Sequence, residues 1–181
     1  MKLMAGMGWL LSAFLLMPAH AQPGHTHGVA QLMLLQDAGT LQLEFVSPSI
    51  NIVGFEQEPR TTDERDAVDD ALTTLKDPDS ILSLTSLGCL IGDVQASMTG
   101  PIAIDGDSHD HGHDDHAHQE TEHSAFSLVI RLDCESEQLP TEFIIHAFDT
   151  FPLLETIETQ WSLAQTQGAQ RLPAGITRLR I

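Results

Sequence analysis

Apolar and polar residues alternate along much of the chain after residue 28, and this period of two predicts β-strands. Two apolar-rich runs, Val29–Gln36 and Thr40–Val46, flank the tripeptide Asp37-Ala38-Gly39. In the second run the apolar positions alternate with polar ones, at Leu41, Leu43 and Phe45. A short turn with glycine between two such runs is typical of a β-hairpin with one buried face.

The same pattern predicts further strands at Leu90–Met98, Ala125–Asp133, Glu142–Phe148, Thr156–Leu163, Ala169–Leu172 and Thr177–Ile181. The first two would pair as a second hairpin with a long loop. Asp149–Leu154 is predicted to be a turn or helical loop around Pro152, and Gln167-Gly168 is predicted to interrupt the strands near the C-terminus.

One segment has the period of a helix instead. Thr61 and Glu64 have the spacing of a capping box, and the apolar residues that follow recur at helical spacing, at Val68, Ala71, Leu72 and Leu75. We expect an amphipathic helix from about 62 to 76, ended by Asp77-Pro78. The predicted fold class is α+β: a mostly antiparallel β domain, one main amphipathic helix and a long disordered hairpin loop.

The first 21 residues have the pattern of a cleavable signal peptide. Lys2 supplies the positive charge, Trp9 to Met17 the apolar stretch, and Ala19-His20-Ala21 the cleavage site. We therefore expect residues 1–21 to be removed on export and residues 22–181 to form one domain without membrane insertion.

The charge balance excludes some partners. The chain carries 8 Lys+Arg against 26 Asp+Glu, a net charge of −18. Such a surface repels nucleic acid and attracts cations. Motifs of nucleophilic hydrolases and zinc proteases, G-x-S-x-G and H-E-x-x-H, do not occur, and no enzyme activity is expected.

Residues 109–123, HDHGHDDHAHQETEH, hold six histidines and five acids without any basic or large apolar side chain. Neutral imidazole is the commonest protein ligand for zinc, and the spacing lets several rings reach one ion. The predicted metal ligands are His109, His111, His113, His116, His118 and His123. The surrounding loop, 105–123, is expected to bind several zinc ions with modest affinity. The alternative is a solvated acidic loop with incidental histidines.

Two more histidines near the mature N-terminus, His25 and His27, are spaced so that both rings could share an ion on an extended strand. The alternative is an N-terminus without a site. His146 lies within a predicted strand, where we favour a half-buried structural role over metal binding.

The chain has two cysteines, Cys89 and Cys134, which bracket the His-rich loop. If the neighbouring strands pair so that facing positions sum to 223, the two cysteines face each other. An oxidising compartment would then join them in a disulfide that clamps the hairpin. The alternative, two thiolates as zinc ligands, requires a reducing environment.

Several segments resemble one family. HTHGVAQL at 25–32, SPSINIVGFEQEP at 47–59, the cysteine pair around the His-rich loop, and FDTFPLLETIETQW at 148–161 together are similar to the ZrgA-like, zinc-regulated periplasmic proteins of Gram-negative bacteria. The resemblance implies periplasmic zinc binding that supports uptake by an ABC-type zinc importer, with the loop histidines as ligands. Gln57 departs from it, because histidine is expected there in many relatives.

The sequence thus predicts a periplasmic zinc-binding protein whose partners are divalent ions and a zinc-binding component of an ABC importer. Copper(II) or nickel is a rival cargo, because imidazole sites bind Cu²⁺ more tightly than Zn²⁺. A metalloenzyme would instead need a rigid three-ligand site with an open position. An envelope scaffold that merely carries the loop is the third rival.

Overall fold

A computed structural model describes residues 26–100, 124–136 and 138–181. Within them lie eight strands: β1 (Val29–Asp37), β2 (Thr40–Pro48), β3 (Leu90–Thr99), β4 (Ala125–Asp133), β5 (Glu142–Ile144), β6 (Thr156–Leu163), β7 (Thr166–Pro173) and β8 (Arg178–Arg180). The helices of the same residues are α1 (Ile50–Val53), α2 (Thr62–Leu75) and α3 (Ala147–Thr150), with a 3₁₀ turn at Thr85–Leu87. The predicted α+β class, mostly antiparallel with one long helix, is confirmed.

Six strands form one sheet in the order β3-β4-β2-β1-β6-β7, and β5 pairs with β8 in a small second sheet. All neighbours are antiparallel except β1 and β6, which run parallel. The predicted first hairpin is confirmed: Asp37 pairs with Thr40, and the two loop residues Ala38 and Gly39 both have positive φ. This backbone conformation matches the right-handed twist of the strands, and glycine adopts it without strain.

The core lies on one face of the six-stranded sheet. Alternate residues of the central strands are fully buried there, for example Leu32 and Leu34 of β1 and Leu43 and Phe45 of β2. Their neighbours point to the other face, where Met33 and Val46 are exposed. Because side chains alternate along a strand, the period of two in the sequence directly marks the buried face.

Helix α2 covers this core as predicted. Ala71 and Leu75 are buried, and Val68 and Leu72 pack against the same cluster. The capping box is also present: the Thr61 hydroxyl accepts from the Glu64 N–H at 3.2 Å, and the Glu64 carboxylate accepts from the Thr61 N–H at 2.9 Å. Hydrogen bonds from the backbone N–H groups of Thr61 and Arg60 lower the pKa of Glu64.

The two strands of the second hairpin pair in the predicted register near the cysteines. Further from the cysteines their register is shifted. Leu90 pairs with Asp133, positions that sum to 223, and Cys89 and Cys134 form a disulfide with a Cα–Cα distance of 4.3 Å. A bulge between Ile91 and Val94 then moves the register by one residue. Gly92 lies in this bulge, where an added Cβ would be 3.2 Å from the Arg131 carbonyl oxygen.

Two predictions of strand boundaries near the C-terminus were wrong. The predicted strand Glu142–Phe148 is shorter in the structure, where β5 ends at Ile144. The Ile145 N–H still bonds to the Thr177 carbonyl in the register of β8, but the N–H groups of His146 and Ala147 bond to the Ile81 carbonyl, and Ala147 begins α3. Gly168 does not interrupt a strand but lies within β7, opposite Trp161 of β6. The ring of Trp161 occupies the space of a Cβ there, 2.5 Å away, so any larger residue would clash.

Candidate metal centre

Most predicted ligands lie outside the described residues: His25 and the six histidines at 109, 111, 113, 116, 118 and 123. The predicted signal peptide, residues 1–21, lies outside them as well. Of the predicted metal ligands, the structure describes His27. It also describes Gly100 and Ser124, which flank residues 101–123. This segment contains the His-rich tract, defined here as residues 105–123.

The chain leaves the sheet and returns to it at neighbouring positions. Thr99 at the end of β3 pairs with Ala125 at the start of β4. Gly100 and Ser124, the next residues outward, are so close that a Cβ on Gly100 would lie 2.8 Å from the Ser124 Cβ. The two ends of the segment that carries the tract are therefore brought together at one edge of the hairpin.

Ser124 is held firmly. It is 1% exposed, its carbonyl accepts from the Ser49 N–H at 2.9 Å, and its hydroxyl donates to the Glu56 carbonyl at 2.7 Å. Both partners belong to the connector 47–59, which leaves β2, forms α1 and continues towards α2. This connector thus fixes the residue that directly follows His123.

The same connector holds the N-terminal histidine motif. The side chain of Asn51 accepts from the Gly28 N–H at 2.7 Å and donates to the Val29 carbonyl at 3.1 Å. It also donates to the Ser47 hydroxyl at 3.1 Å and is itself 2% exposed. A buried amide with all these partners satisfied is a strong local tether, because leaving any of them unpaired costs free energy.

His27 lies in a tight turn that the rest of the fold closes. The Val29 N–H donates to the Thr26 carbonyl at 3.1 Å, and the Gly28 carbonyl accepts from Glu155 and Thr156 at 2.8 and 2.9 Å. Gly28 has φ of +77°, and an added Cβ would lie 2.9 Å from the Glu155 carboxylate. Only glycine fits this position without strain, so the histidine next to it has a fixed backbone.

The imidazole of His27 contacts Glu56. Its Nε2 lies 2.9 Å from Glu56 Oε1, and the side chains are 66% and 17% exposed, respectively. Because the Glu56 carbonyl bonds to Ser124, one corner of the fold holds a histidine, a carboxylate and the return point of the tract. We call His27, Glu56 and Ser124 the metal corner, since imidazole and carboxylate are both zinc ligands.

The metal corner does not by itself complete a coordination shell. Within residues 26–100, 124–136 and 138–181, no three His, Cys, Asp or Glu side chains converge on one point. Gln57, the departure from the family pattern, is exposed and contributes to lowering the pKa of Glu64 at the start of α2. The cysteines are joined to each other, so the alternative of two thiolate ligands does not hold in this structure.

His146 is half-buried, as predicted, but it precedes α3 instead of lying in a strand. Its Nε2 is 2.7 Å from the Ser83 hydroxyl. Near it, Asp79 accepts from the N–H groups of Leu84 and Thr85 and from the Thr85 hydroxyl. Partial burial raises the pKa of Asp79, but these hydrogen bonds and the nearby imidazole outweigh it, so the pKa is lowered. The structure does not bring His146 to the metal corner.

Sequence reasoning did not identify Glu56, Asn51 or Ser124. A usable signal existed for one of them: Asn51 is a lone polar residue among Ile50, Ile52 and Val53, and a buried amide usually bonds to backbone. Glu56 and Ser124 gave no such signal, because their partners are distant along the chain.

One of the comparisons with known proteins identifies a family. The model of the family described as ZrgA family zinc uptake protein matches residues 24–181. No protein of curated function matches the chain significantly. Among the described residues, no helix is long and apolar enough to cross a membrane. The matched range includes the N-terminal histidine motif, the connector, the His-rich tract and both cysteines, and the chain belongs to the ZrgA family of zinc uptake proteins.

Proposed function

We propose that this protein captures and buffers zinc in the periplasm and supports zinc uptake with an ABC-type importer. The observation that carries the proposal is the combination of a zinc uptake family with six histidines in a tract whose return point is fixed beside His27 and Glu56. Binding is reversible coordination, and no bond of a substrate is made or broken.

In this proposal the tract supplies the capacity to bind several zinc ions. Its proposed ligands are neutral imidazoles, and the interleaved carboxylates raise the local cation concentration and accept the second ring N–H of ligating histidines. Ordering this chain around ions costs conformational entropy, so several sites of modest affinity are expected instead of one very tight site. Modest affinity suits a protein that must hand its zinc to a tighter-binding component of the importer.

Export is the second part of the proposal. Residues 1–21 serve as a signal peptide, and residues 22–181 form one zinc-binding domain in the periplasm. The disulfide between Cys89 and Cys134 supports this, because disulfides persist in oxidising compartments such as the bacterial periplasm.

The decisive experiment measures the metal that the protein carries in cells. The native protein and a variant with His→Asn at positions 109, 111, 113, 116, 118 and 123 are purified from the periplasm of zinc-limited cells, and their metal content is measured. We expect zinc in the native protein and loss of most of it in the variant. Copper or nickel in place of zinc would identify the rival cargo.

A matched control removes six of the seven acids of the tract and keeps its histidines, with Asp→Asn or Glu→Gln at positions 107, 110, 114, 115, 120 and 122. This control changes the net charge but leaves the imidazole ligands, so we expect it to retain most of its zinc. Equal zinc content in the native protein and the six-histidine variant would refute the proposal.

A further inference from the structure

We propose that two copies of this chain associate through strand β7, whose free edges pair antiparallel about Ala169 and join the two six-stranded sheets. This association goes beyond the proposed function, because it does not depend on zinc. Three features support it: the unpaired backbone groups of β7, the protection of the opposite edge of the sheet, and the absence of acids from residues 164–181.

Strand β7 is the last strand at one edge of the six-stranded sheet, next to β6. The Ala174 N–H donates to the Glu155 carbonyl at 2.8 Å, so these two opposite residues form a hydrogen-bonded pair. Such pairs alternate with non-bonded ones along an antiparallel ladder. The even-numbered residues of β7 therefore bond to β6, and the odd-numbered ones direct their N–H and C=O away from it. The outward groups belong to Gln167, Ala169 and Arg171.

These outward groups form a free edge. Within residues 26–100, 124–136 and 138–181 they have no hydrogen-bond partner, and all three residues are exposed. Pro173, the next odd-numbered residue, has no N–H and ends the row of donors without interrupting a bond to β6. The edge thus offers donors and acceptors to one incoming extended strand.

The opposite edge of the sheet, strand β3, is protected against such pairing. A bulge between Ile91 and Val94 interrupts its register, and helix α2 contacts it. Strand β7 has no bulge, because its register with β6 is continuous along its whole length. Bulges and covering helices are usual means of blocking an edge. Their presence at β3 leaves β7 as the edge of this sheet that is able to pair.

The distribution of charge allows two copies to approach at β7. Residues 164–181 hold no Asp or Glu, although the chain carries 26. The His-rich tract lies between β3 and β4 in the chain, and three strands separate β4 from β7 in the sheet. At about 4.8 Å per strand, β4 and β7 are about 19 Å apart, which is about two Debye lengths at physiological salt. Two copies therefore meet at an acid-free segment, away from the attachment of the most acidic one.

The edge of β7 is complementary to itself. An antiparallel pair of identical strands is two-fold symmetric, so the same surface serves both copies. With Ala169 opposite Ala169 of the second copy, Arg171 lies opposite Gln167 of the second copy, and each such pair exchanges two hydrogen bonds. No like charges are opposed in this register, whereas centring the pair on Arg171 would oppose two guanidinium groups. The rival occupant is an acidic extended segment of another protein, which Arg171 would attract.

The test measures the mass of residues 22–181, with the disulfide intact, by sedimentation equilibrium between about 1 μM and about 1 mM protein. A chelator is present, so metal ions cannot bridge two copies. We expect the mass to rise from monomer towards dimer with a Kd of about 10–100 μM, because an edge of this length buries a small interface. A monomer at every concentration would overturn the proposal.

Substitutions at Ala169 test the edge directly. Ala169→Pro removes the central outward N–H from each copy and keeps the bonds to β6, so it should weaken association by about tenfold or more. Ala169→Lys keeps this N–H but opposes two ammonium groups, and it should weaken association by about fivefold. The matched control is Gln160→Lys, an exposed position opposite Ala169 on β6, which should change the Kd less than about twofold. Urea unfolding checks that all three variants fold.

Hydrogen exchange locates the contact in the native chain. The amides of Gln167, Ala169 and Arg171 should exchange more slowly in the dimer than in the dilute monomer, because pairing withdraws them from water. Unchanged exchange in a dimer, or equal weakening by the Ala169 variants and Gln160→Lys, would overturn the proposal. A chain that stays monomeric, and whose β7 amides slow only when a synthetic peptide of alternating Thr and Glu is added, would overturn it in favour of the rival occupant.

Discussion

The hydroxyl of Ser124 donates a hydrogen bond of 2.7 Å to the carbonyl of Glu56, which lies 68 residues earlier in the chain. Ser124 directly follows His123, and Glu56 contacts His27. One side-chain hydrogen bond therefore connects the residue after the tract with the segment that contacts the N-terminal histidine. Backbone anchoring therefore places Ser124, the residue that follows His123, beside the segment that contacts His27.

Asn51 is the buried side chain on which this corner most depends, and its replacement gives the first prediction. Asn51→Ala would leave the Gly28 N–H and the Val29 carbonyl without their partner, so we expect unfolding in urea to show a loss of about 1–3 kcal/mol. The control Asp69→Ala on the exposed face of α2 should change stability by less than about 0.5 kcal/mol. Equal stability of native protein and Asn51→Ala would contradict the tether.

Removal of the tract gives the second prediction. Because Gly100 and Ser124 already lie close together, deleting residues 107–123 should leave the sheet intact. The deletion removes all six proposed histidine ligands of the tract, so it should also remove most bound zinc. A loop about four times shorter also costs less closure entropy, so stability should rise by about 1 kcal/mol. Calorimetric zinc titration and urea unfolding of the deletion variant check both points. Unchanged zinc stoichiometry, or a variant that does not fold, would contradict them.

The elements that sequence alone predicted well are those specified by neighbouring residues. The capping box of Thr61 and Glu64 and the helical spacing of apolar residues located α2 to within a residue at its C-terminal end. The pattern of Thr156–Leu163 matched β6 at both ends. In each case the local hydrogen bonds and the buried face follow from residues a few positions apart.

The wrong predictions concern backbone partners that are distant in the chain. Phe143, Ile145 and Ala147 are all buried, as in a strand, yet the backbone hydrogen bonds change partner after Ile145, from the Thr177 carbonyl to the Ile81 carbonyl. Alternation of apolar residues reports burial and cannot report which amide bonds to which carbonyl. The contact of His27 with Glu56 was not predictable for the same reason, since it depends on how the connector folds back.

The disulfide gives the third prediction. Cys89 and Cys134 are 45 residues apart in sequence, and the chain-entropy model assigns a cross-link of this length about 3–4 kcal/mol. We expect the double variant Cys89→Ser, Cys134→Ser to lose stability of this order in urea while keeping its zinc stoichiometry. Two free thiols in protein purified from the periplasm, or the loss of a zinc ion in the double variant, would contradict this.

The pH dependence of zinc binding gives the fourth prediction. Protonated imidazole cannot coordinate a metal, so apparent affinity should weaken below about pH 6. If at least two imidazoles share each ion, affinity should fall by about 100-fold or more per pH unit once the pH is well below the imidazole pKa. Calorimetry between about pH 7.5 and 5.5 measures this slope. A flat profile would exclude histidine coordination.

Asp79 gives the last prediction, which concerns the fold beside His146. Its pKa is lower in the folded protein than in the unfolded chain, so its ionised form stabilises the fold above about pH 3.9, and this contribution disappears as the pH falls through the folded pKa. We expect Asp79→Asn to lower the urea midpoint at neutral pH, and the difference from the native protein to shrink below about pH 4. Asp70→Asn, an exposed carboxylate on α2, is the matched control and should shift the midpoint little at either pH. A difference between native protein and Asp79→Asn that stays constant with pH would show that the Asp79 charge does not contribute.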